Sequence, residues 1–189
     1  FARIQYVFLP LVFAASALVV ERGSVRSMWS RFRLSVLVYA APVALAAALG
    51  PKRLLGYYSG VADLHVRPGD IAHWLGTDAM LLAYAVGFAL VPGAVVGVIY
   101  ALWKPRTRDE CAFAALSVGV LLGLFAEAAL YATNGSDRFQ ERYLMVLLPL
   151  AFPAFVLWLR RGRPAKHAVA LIAVALLALS ARVPLSGYT

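Results

Sequence analysis

The sequence predicts an all-α protein: a polytopic transmembrane bundle of about six helices, with a short interfacial amphipathic helix in its one long outer loop. Composition is the first reason. Hydrophobic residues make up 62% of the 189 residues, charged residues only 14%, and the mean hydropathy is +0.78. Soluble domains contain about 45–50% apolar and about 25% charged residues, so a chain of this length has too little interior for so much apolar surface.

The second reason is the series of apolar runs along the chain. Crossing the bilayer as a helix takes about 20 apolar residues, and helices satisfy every backbone group within lipid. Six runs reach or approach that length: residues 4–20, 34–49, 78–103, 111–132, 143–159 and 168–183. We interpret residues 1–189 as a single transmembrane domain and, because the chain starts at Phe1 rather than methionine, as a fragment of a longer protein.

The third reason is the distribution of basic residues between the runs. Three loops contain four, three and four of the 18 basic residues, and the two loops that alternate with them contain three and two, balanced by acids. The basic loops are 21–33, 104–110 and 160–167, and the balanced loops are 50–77 and 133–142. The positive-inside rule therefore predicts a multi-pass protein of the cell membrane with both termini outside. Membrane lipid is the expected partner, and nucleic acid is not.

Small residues and prolines mark positions within the runs. Pro92-Gly93 predicts a kink in the third run, because proline removes an amide donor. Gly119 and Gly123, and likewise Ala44 and Ala48, are four residues apart, which is typical of close helix packing.

The long outer loop predicts short helices. Apolar and aromatic residues recur at near-helical spacing over residues 54–64, which favours an amphipathic helix in the interface. Pro68-Gly69-Asp70 then predicts a turn, with Asp70 capping a second short helix through Trp74. Thr77 or Asp78 is the expected cap of the third span.

Five residues in or at the end of this loop are candidates for a metal site or acid–base chemistry: His65, His73, Asp63, Asp70 and Asp78. No two of them have a diagnostic ligand spacing, and side chains in a solvated interface are the commoner explanation. The sequence therefore predicts no metal site and no cofactor.

Glu127 is the one acid well inside an apolar run. Such a residue is costly in lipid and faces the bundle interior, where it is a functional candidate by default. Two interpretations stay open: a structural ion pair with Arg138 or Arg142, and a functional role.

A polar cluster precedes the fifth run and includes Arg138, Glu141, Arg142 and Tyr143. Two guanidinium groups just outside the membrane are suited to holding a phosphate or diphosphate, since arginine presents a rigid fork of donors. A solvated loop whose charges pair with one another is the alternative.

The segment 138–149, Arg-Phe-Gln-Glu-Arg-Tyr-Leu-Met-Val-Leu-Leu-Pro, followed by Pro153, resembles the start of a late transmembrane helix in the GT-C superfamily of glycosyltransferases. The protein mannosyltransferase and aminoarabinose transferase groups belong to this superfamily, and residues 137–161 are similar to actinobacterial membrane proteins grouped with it. The resemblance implies a polyprenyl-phosphate sugar donor, with Arg138 and Arg142 facing its phosphate and Tyr143 as a helix anchor. It also implies a catalytic acid in an earlier outer loop, upstream of Phe1.

The leading functional hypothesis is thus the C-terminal membrane portion of a glycosyltransferase in cell-envelope glycan assembly. Whether this chain is itself an enzyme stays open. The alternatives are one half of a transporter or flippase, or a non-catalytic membrane scaffold.

Overall fold

The helices of this protein follow the apolar runs of the sequence. The computed structural model describes residues 8–49, 67–136 and 144–182, and within them every regular element is helical. A π-helical turn, Ala132–Ser136, follows the fifth helix, and a 3₁₀ turn, Met145–Leu147, precedes the sixth. The α-helices are α1 (Leu9–Val20), α2 (Val25–Leu49), α3 (Pro68–Val86), α4 (Leu90–Trp103), α5 (Arg108–Tyr131), α6 (Leu148–Arg160) and α7 (Lys166–Arg182). The all-α class is confirmed for these residues.

One described helix, Arg108–Asn134, is long and apolar enough to cross a membrane by itself. α3 and α4 meet that test only as a pair, bent by 108° at the break between them, and two further apolar helices, Leu9–Val20 and Met145–Arg160, are shorter. By length and composition the described residues thus supply one or two membrane-crossing helices. The six-span bundle stays a prediction.

The third apolar run differs most from its predicted form. Its helix begins at Pro68 rather than at residue 78, so the predicted second short helix is simply the first part of α3. The axis breaks at Gly87, whose φ of 111° favours glycine. Pro92 lies in the first turn of α4, where a missing amide donor needs no partner, so the kink predicted at Pro92-Gly93 is wrong.

α2 also starts earlier than its apolar run. It begins at Val25, inside the first basic loop, and has one non-helical residue at Phe32. Among the described elements it packs chiefly against α1, where the ring of Phe13 contacts those of Phe32 and Tyr39. Ala44 and Ala48 are exposed, so the close-packing face predicted for that pair is not used within the described chain.

The core lies where α3, α4, α5 and α6 meet, and α4 and α6 share the longest contact. α1 covers α5 at Gly119, where an added Cβ would lie 2.6 Å from a methyl group of Val12, and at Gly123, against Phe8. The close-packing face predicted for these two glycines is confirmed. Burial of apolar side chains and close van der Waals contact both stabilise these interfaces.

The three basic loops lie together at one end of the bundle, which we call the basic end (residues 21–33, 104–110 and 160–167). Glu21 of the first loop pairs with Arg108 of the second. Glu110 of the second pairs with Arg161 of the third at 2.6 Å. At the opposite end, the first half of α3 packs against the end of α5, where Trp74 contacts Ala129 and Ala132. Loops of like charge therefore share one end, as their alternation along the chain predicts.

Candidate functional site

An apolar cavity of about 150 Å³ lies inside the helix bundle. It is lined by α3, α4, α5, α6 and the 3₁₀ turn and opens to the surface of the bundle. Its lining is hydrophobic except for one serine, and comprises Leu82, Val91, Ala94, Val95, Val98, Ile99, Ser117, Val118, Leu121, Leu147, Leu150, Ala151 and Ala154. The volume is sufficient for an apolar group about as large as benzene.

Small residues on α4 and α6 create this space. Gly93 and Gly97 are one turn apart on the face of α4 that meets α6. A Cβ at Gly97 would overlap the carbonyl oxygen of Ala154, and one at Gly93 would lie 2.5 Å from the ring of Phe155. The two backbones therefore touch at Gly97, and Gly93 gives room to the ring of Phe155. Ala94, Ala151 and Ala154 are small and leave room for the cavity. The Gly93–Gly97 spacing is a signal of close helix packing that is visible in the sequence.

Ser117 is the one polar residue of the lining. Its side chain is buried, and its Oγ has no hydrogen-bond partner among the described residues. A buried hydroxyl without a partner is destabilising by about 1–3 kcal/mol.

Glu127 is half-buried on α5, and its Oε2 atom is buried without a hydrogen-bond partner among the described residues. Glu127 is expected from the sequence to face the protein interior, and its Oε2 atom does so. Its proposed ion-pair partners, Arg138 and Arg142, lie outside the described residues, so that pairing stays a prediction.

The sequence predicts Asp78 to be a helix cap or a solvated acid, whereas the structure makes it a buried functional candidate. It is 1% exposed, lies in the middle of α3, and its Oδ2 atom has no hydrogen-bond partner among the described residues. Its predicted role as a helix cap is wrong, because α3 begins ten residues earlier. The neighbouring Thr77 is also buried and donates its hydroxyl to the carbonyl of His73 at 3.1 Å.

Asp78 and Glu127 lie at a similar level of the bundle. Trp74, Asp78 and Leu82 form one stripe of α3, since they are four residues apart. Trp74 packs against Ala129, and Leu82 lies in the same core cluster as Leu124. Asp78 is therefore opposite the stretch of α5 between these two residues, which contains Glu127. The cavity begins one helical turn further along α3, at Leu82.

Six residues singled out in the sequence lie outside the described residues: Asp63, His65, Arg138, Glu141, Arg142 and Tyr143. The four that form the arginine cluster belong to the segment between the end of α5 and the 3₁₀ turn. Its described neighbour Leu144 is buried in the same core cluster as Leu82 and Leu124.

The other two loop candidates are exposed residues of α3. Asp70 lies in its first turn, where a carboxylate interacts favourably with the helix dipole, and is 4.0 Å from Arg67. It accepts no backbone amide as a cap, so that part of its predicted role is wrong. The ring of His73 packs edge-on against Trp74 at 5.5 Å. Within the described residues, no group of three or more possible metal ligands forms.

Comparison of the chain with models of known protein families, with curated proteins and with solved structures finds no match. Functional inference therefore rests on the cavity, on the two buried carboxyl groups and on the sequence of the arginine cluster.

Proposed function

We propose that this chain is the C-terminal membrane portion of a glycosyltransferase of GT-C type, and that it binds a polyprenyl-phosphate-linked sugar. The apolar cavity is the observation that carries this proposal. An isoprenoid chain is a string of five-carbon apolar units, and one such unit is comparable in size to the benzene-sized group that the cavity admits. The tail would insert from the lipid between α4, α5 and α6.

The head of the same lipid would lie near Asp78 and Glu127. In this arrangement Arg138 and Arg142 hold the phosphate, since guanidinium groups bind such oxyanions through paired hydrogen bonds. The carboxyl groups accept hydrogen bonds from the sugar hydroxyls, which supplies the partners that both lack among the described residues. The catalytic acid would come from upstream of Phe1, as the resemblance implies.

The role of the cavity in binding the lipid tail is tested by filling the cavity with a larger side chain. Ser117→Phe places a ring in the cavity, whereas Leu116→Phe, the matched control, adds a ring at a neighbouring position that is 42% exposed. We expect photo-crosslinking to a benzophenone-labelled polyprenyl phosphate to fall at least about tenfold in Ser117→Phe, because a five-carbon unit loses its burial. Leu116→Phe should crosslink like the wild type. Equal crosslinking of both variants would refute a role for the cavity.

The phosphate contact is tested separately. Arg138→Ala and Arg142→Ala should each weaken binding of the polyprenyl phosphate by about tenfold or more, because a charge-assisted hydrogen bond is lost. Neither should alter binding of the corresponding polyprenol, which has no phosphate. Unchanged phosphate binding in both variants would exclude the arginine cluster as the headgroup site.

A transporter or flippase half is the second candidate, and the structure adds one observation in its favour. Broken helices and buried ionisable groups are typical of transport sites. The bent α3–α4 pair, with Asp78 on α3 and Glu127 on α5, has both features. Proteoliposome flux of a lipid-linked sugar that disappears in Asp78→Asn and Glu127→Gln would favour transport over transfer.

A further inference from the structure

The basic end carries exposed cations that form no ion pair within the described residues. Lys104, Arg106 and Arg160 are exposed there, and within the described residues no carboxylate forms an ion pair with any of them. Arg106 donates from Nη1 to the carbonyl oxygen of Arg160 at 3.3 Å, which joins two of the three basic loops. These three residues therefore form a single patch, which we call the loop patch.

Arg161 has a buried side chain that links the loops of the loop patch. Its side chain is 6% exposed; Nη1 donates to the carbonyl of Lys104 at 2.9 Å, and Nη2 pairs with Glu110 at 2.6 Å. Its Nε atom is buried and has no acceptor among the described residues. A buried donor without an acceptor is destabilising.

Two of the three acids of the basic end, Glu21 and Glu110, are turned inward, whereas Asp109 is exposed. The Glu21 side chain is 7% exposed, accepts a hydrogen bond from the hydroxyl of Ser27 at 2.5 Å and pairs with Arg108. Glu110 accepts hydrogen bonds from Arg161 and from the backbone amide of Arg106 at 3.0 Å. These two carboxylates stabilise the contacts between loops, and neither forms an ion pair with Lys104, Arg106 or Arg160.

The loop patch borders exposed apolar side chains. Trp103 is 70% exposed at the end of α4, with the ammonium of Lys104 4.7 Å from the centre of its ring. Leu159 and Phe152, on α6, are also exposed. A ligand that contacts both the cations and the exposed apolar side chains would have an anionic head and hydrocarbon chains. Tryptophan beside basic residues is typical of the headgroup level of a membrane.

We propose that Lys104, Arg106 and Arg160, positioned by Arg161, bind the phosphate of an anionic phospholipid whose acyl chains lie along α4 and α6. The continuous apolar surface beside the cations favours phospholipid over free phosphate and over nucleic acid. The site is independent of the proposed polyprenyl-phosphate site, which lies toward the opposite end of the bundle.

The test uses the full chain in a non-ionic detergent, titrated with dioleoyl phosphatidylglycerol and, in parallel, with dioleoyl phosphatidylcholine. The wild type should bind phosphatidylglycerol more tightly, and this preference should weaken as salt is added. The triple variant Lys104→Gln, Arg106→Gln, Arg160→Gln should lose at least about tenfold in affinity, since each cation near an anionic headgroup contributes.

The matched control removes the same charge at the same end of the bundle. Arg22→Gln, Arg26→Gln, Arg33→Gln should change the affinity by less than about twofold. An equal loss in both triple variants would show diffuse attraction and overturn the site. Displacement of the lipid by millimolar inorganic phosphate would overturn phospholipid as the ligand.

A variant that fails to fold leaves the proposal testable in two ways. The charge-conserving triple variant Lys104→Arg, Arg106→Lys, Arg160→Lys should keep the preference within about twofold. A wild-type chain that binds both phospholipids equally well would overturn the proposal without any variant.

Discussion

At the scale of single residues, the polar groups of the interior are the least expected feature of this protein. Asp78 and Ser117 are buried where almost every neighbour is apolar, and Glu127 buries one carboxylate oxygen on the same helix as Ser117. Burying a polar or ionisable group without a partner destabilises a fold, so its presence at such a position indicates a functional role. Ser117 lines the cavity, and Asp78 lies one helical turn from Leu82 at its edge, which is why we place the ligand there.

The first prediction concerns Asp78. Asp78→Asn removes the charge at nearly constant volume and should raise the free energy of unfolding by about 1 kcal/mol, because a buried carboxylate without a partner is destabilising. Chemical unfolding of the detergent-solubilised chain at pH 7 measures this.

The matched control for Asp78 is on the same helix. Asp70→Asn, at a side chain that is 52% exposed, should change the free energy of unfolding by less than about 0.5 kcal/mol. A clear loss of stability in Asp78→Asn would show that the carboxylate has a stabilising partner and is a structural residue.

At the scale of helices, glycine positions determine which helices touch. Gly119 and Gly123 admit α1 to the surface of α5, and Gly93 and Gly97 bring α4 against α6. For a bundle in lipid, as the sequence predicts, the hydrophobic effect would give no preference for one apolar neighbour over another. Packing of small residues would then contribute most of the specificity. The α4–α6 contact also forms one wall of the cavity, and its geometry therefore controls the shape of the proposed binding site.

The second prediction tests this contact. Gly97→Ala should lower the free energy of unfolding by about 1–3 kcal/mol, because the new Cβ overlaps the backbone carbonyl of Ala154, which has little freedom to move. It should also reduce polyprenyl-phosphate crosslinking by widening the α4–α6 spacing. Gly76→Ala, on α3, is the control: its Cβ would lie 3.6 Å from Leu179, and it should stabilise the helix by about 0.5–1 kcal/mol. Equal effects of the two substitutions would contradict the close approach.

The third prediction concerns the link between the start of α5 and the loop 160–167. Glu110 lies just before the apolar run of α5. Burial raises the pKa of Glu110, but the backbone amide of Arg106 and the guanidinium of Arg161 lower it by more, so its pKa lies below the ordinary value of 4.5. A carboxyl group whose pKa is lowered by folding stabilises the fold at pH values above its ordinary pKa. This contribution disappears as the pH falls through the lowered pKa.

Thermal unfolding against pH measures the contribution of Glu110. Glu110→Gln should unfold at a lower temperature than the wild type at pH 7, and the two should converge as the pH falls below about 4.5. Asp109→Asn, at an exposed neighbour on the same turn, should follow the wild-type profile. If the unfolding temperatures of Glu110→Gln and the wild type still differ by the same amount at low pH, the ion pair of Glu110 with Arg161 does not stabilise the link between α5 and the loop 160–167.

At the scale of the whole molecule, the described helices expose many large apolar side chains. Such side chains are exposed on all seven described helices; Leu11, Leu34 and Leu171, for example, are each more than 70% exposed. Only 28% of the apolar window of α5 is buried inside the protein. Large exposed apolar surfaces are rare in monomeric soluble proteins, and the location in a membrane stays a prediction.

The fourth prediction is the topology that follows from the basic end. The chain has one cysteine, Cys111, which is buried. The variant Cys111→Ser therefore has no native cysteine that could react with the label. Single cysteines from Arg26→Cys and Lys166→Cys should react with a membrane-impermeant maleimide only after permeabilisation, because basic loops stay inside. Asp70→Cys, beyond the opposite end of the core, should react in intact cells. Labelling of all three from the same side would contradict the predicted arrangement.

The sequence by itself determined the helical class, the approximate limits of most helices and the grouping of the basic loops. These properties follow from local patterns: apolar runs set helix positions, and charge between runs assigns loops to one end or the other. Glu127 was likewise recognisable, because a single acid inside an apolar run stands out. The arginine cluster was identified in the same way, and its arrangement stays a prediction.

Only the tertiary structure decided where polar groups lack partners and where space remains between helices. Asp78 looked like a helix cap because it begins an apolar run, and its burial became evident only when α3 extended back to Pro68. The cavity arises from the fit of four helices around small residues at Gly97 and Ala154, which no single segment encodes. Packing between distant segments depends on the shapes of both partners, whereas helix formation depends on neighbours along the chain.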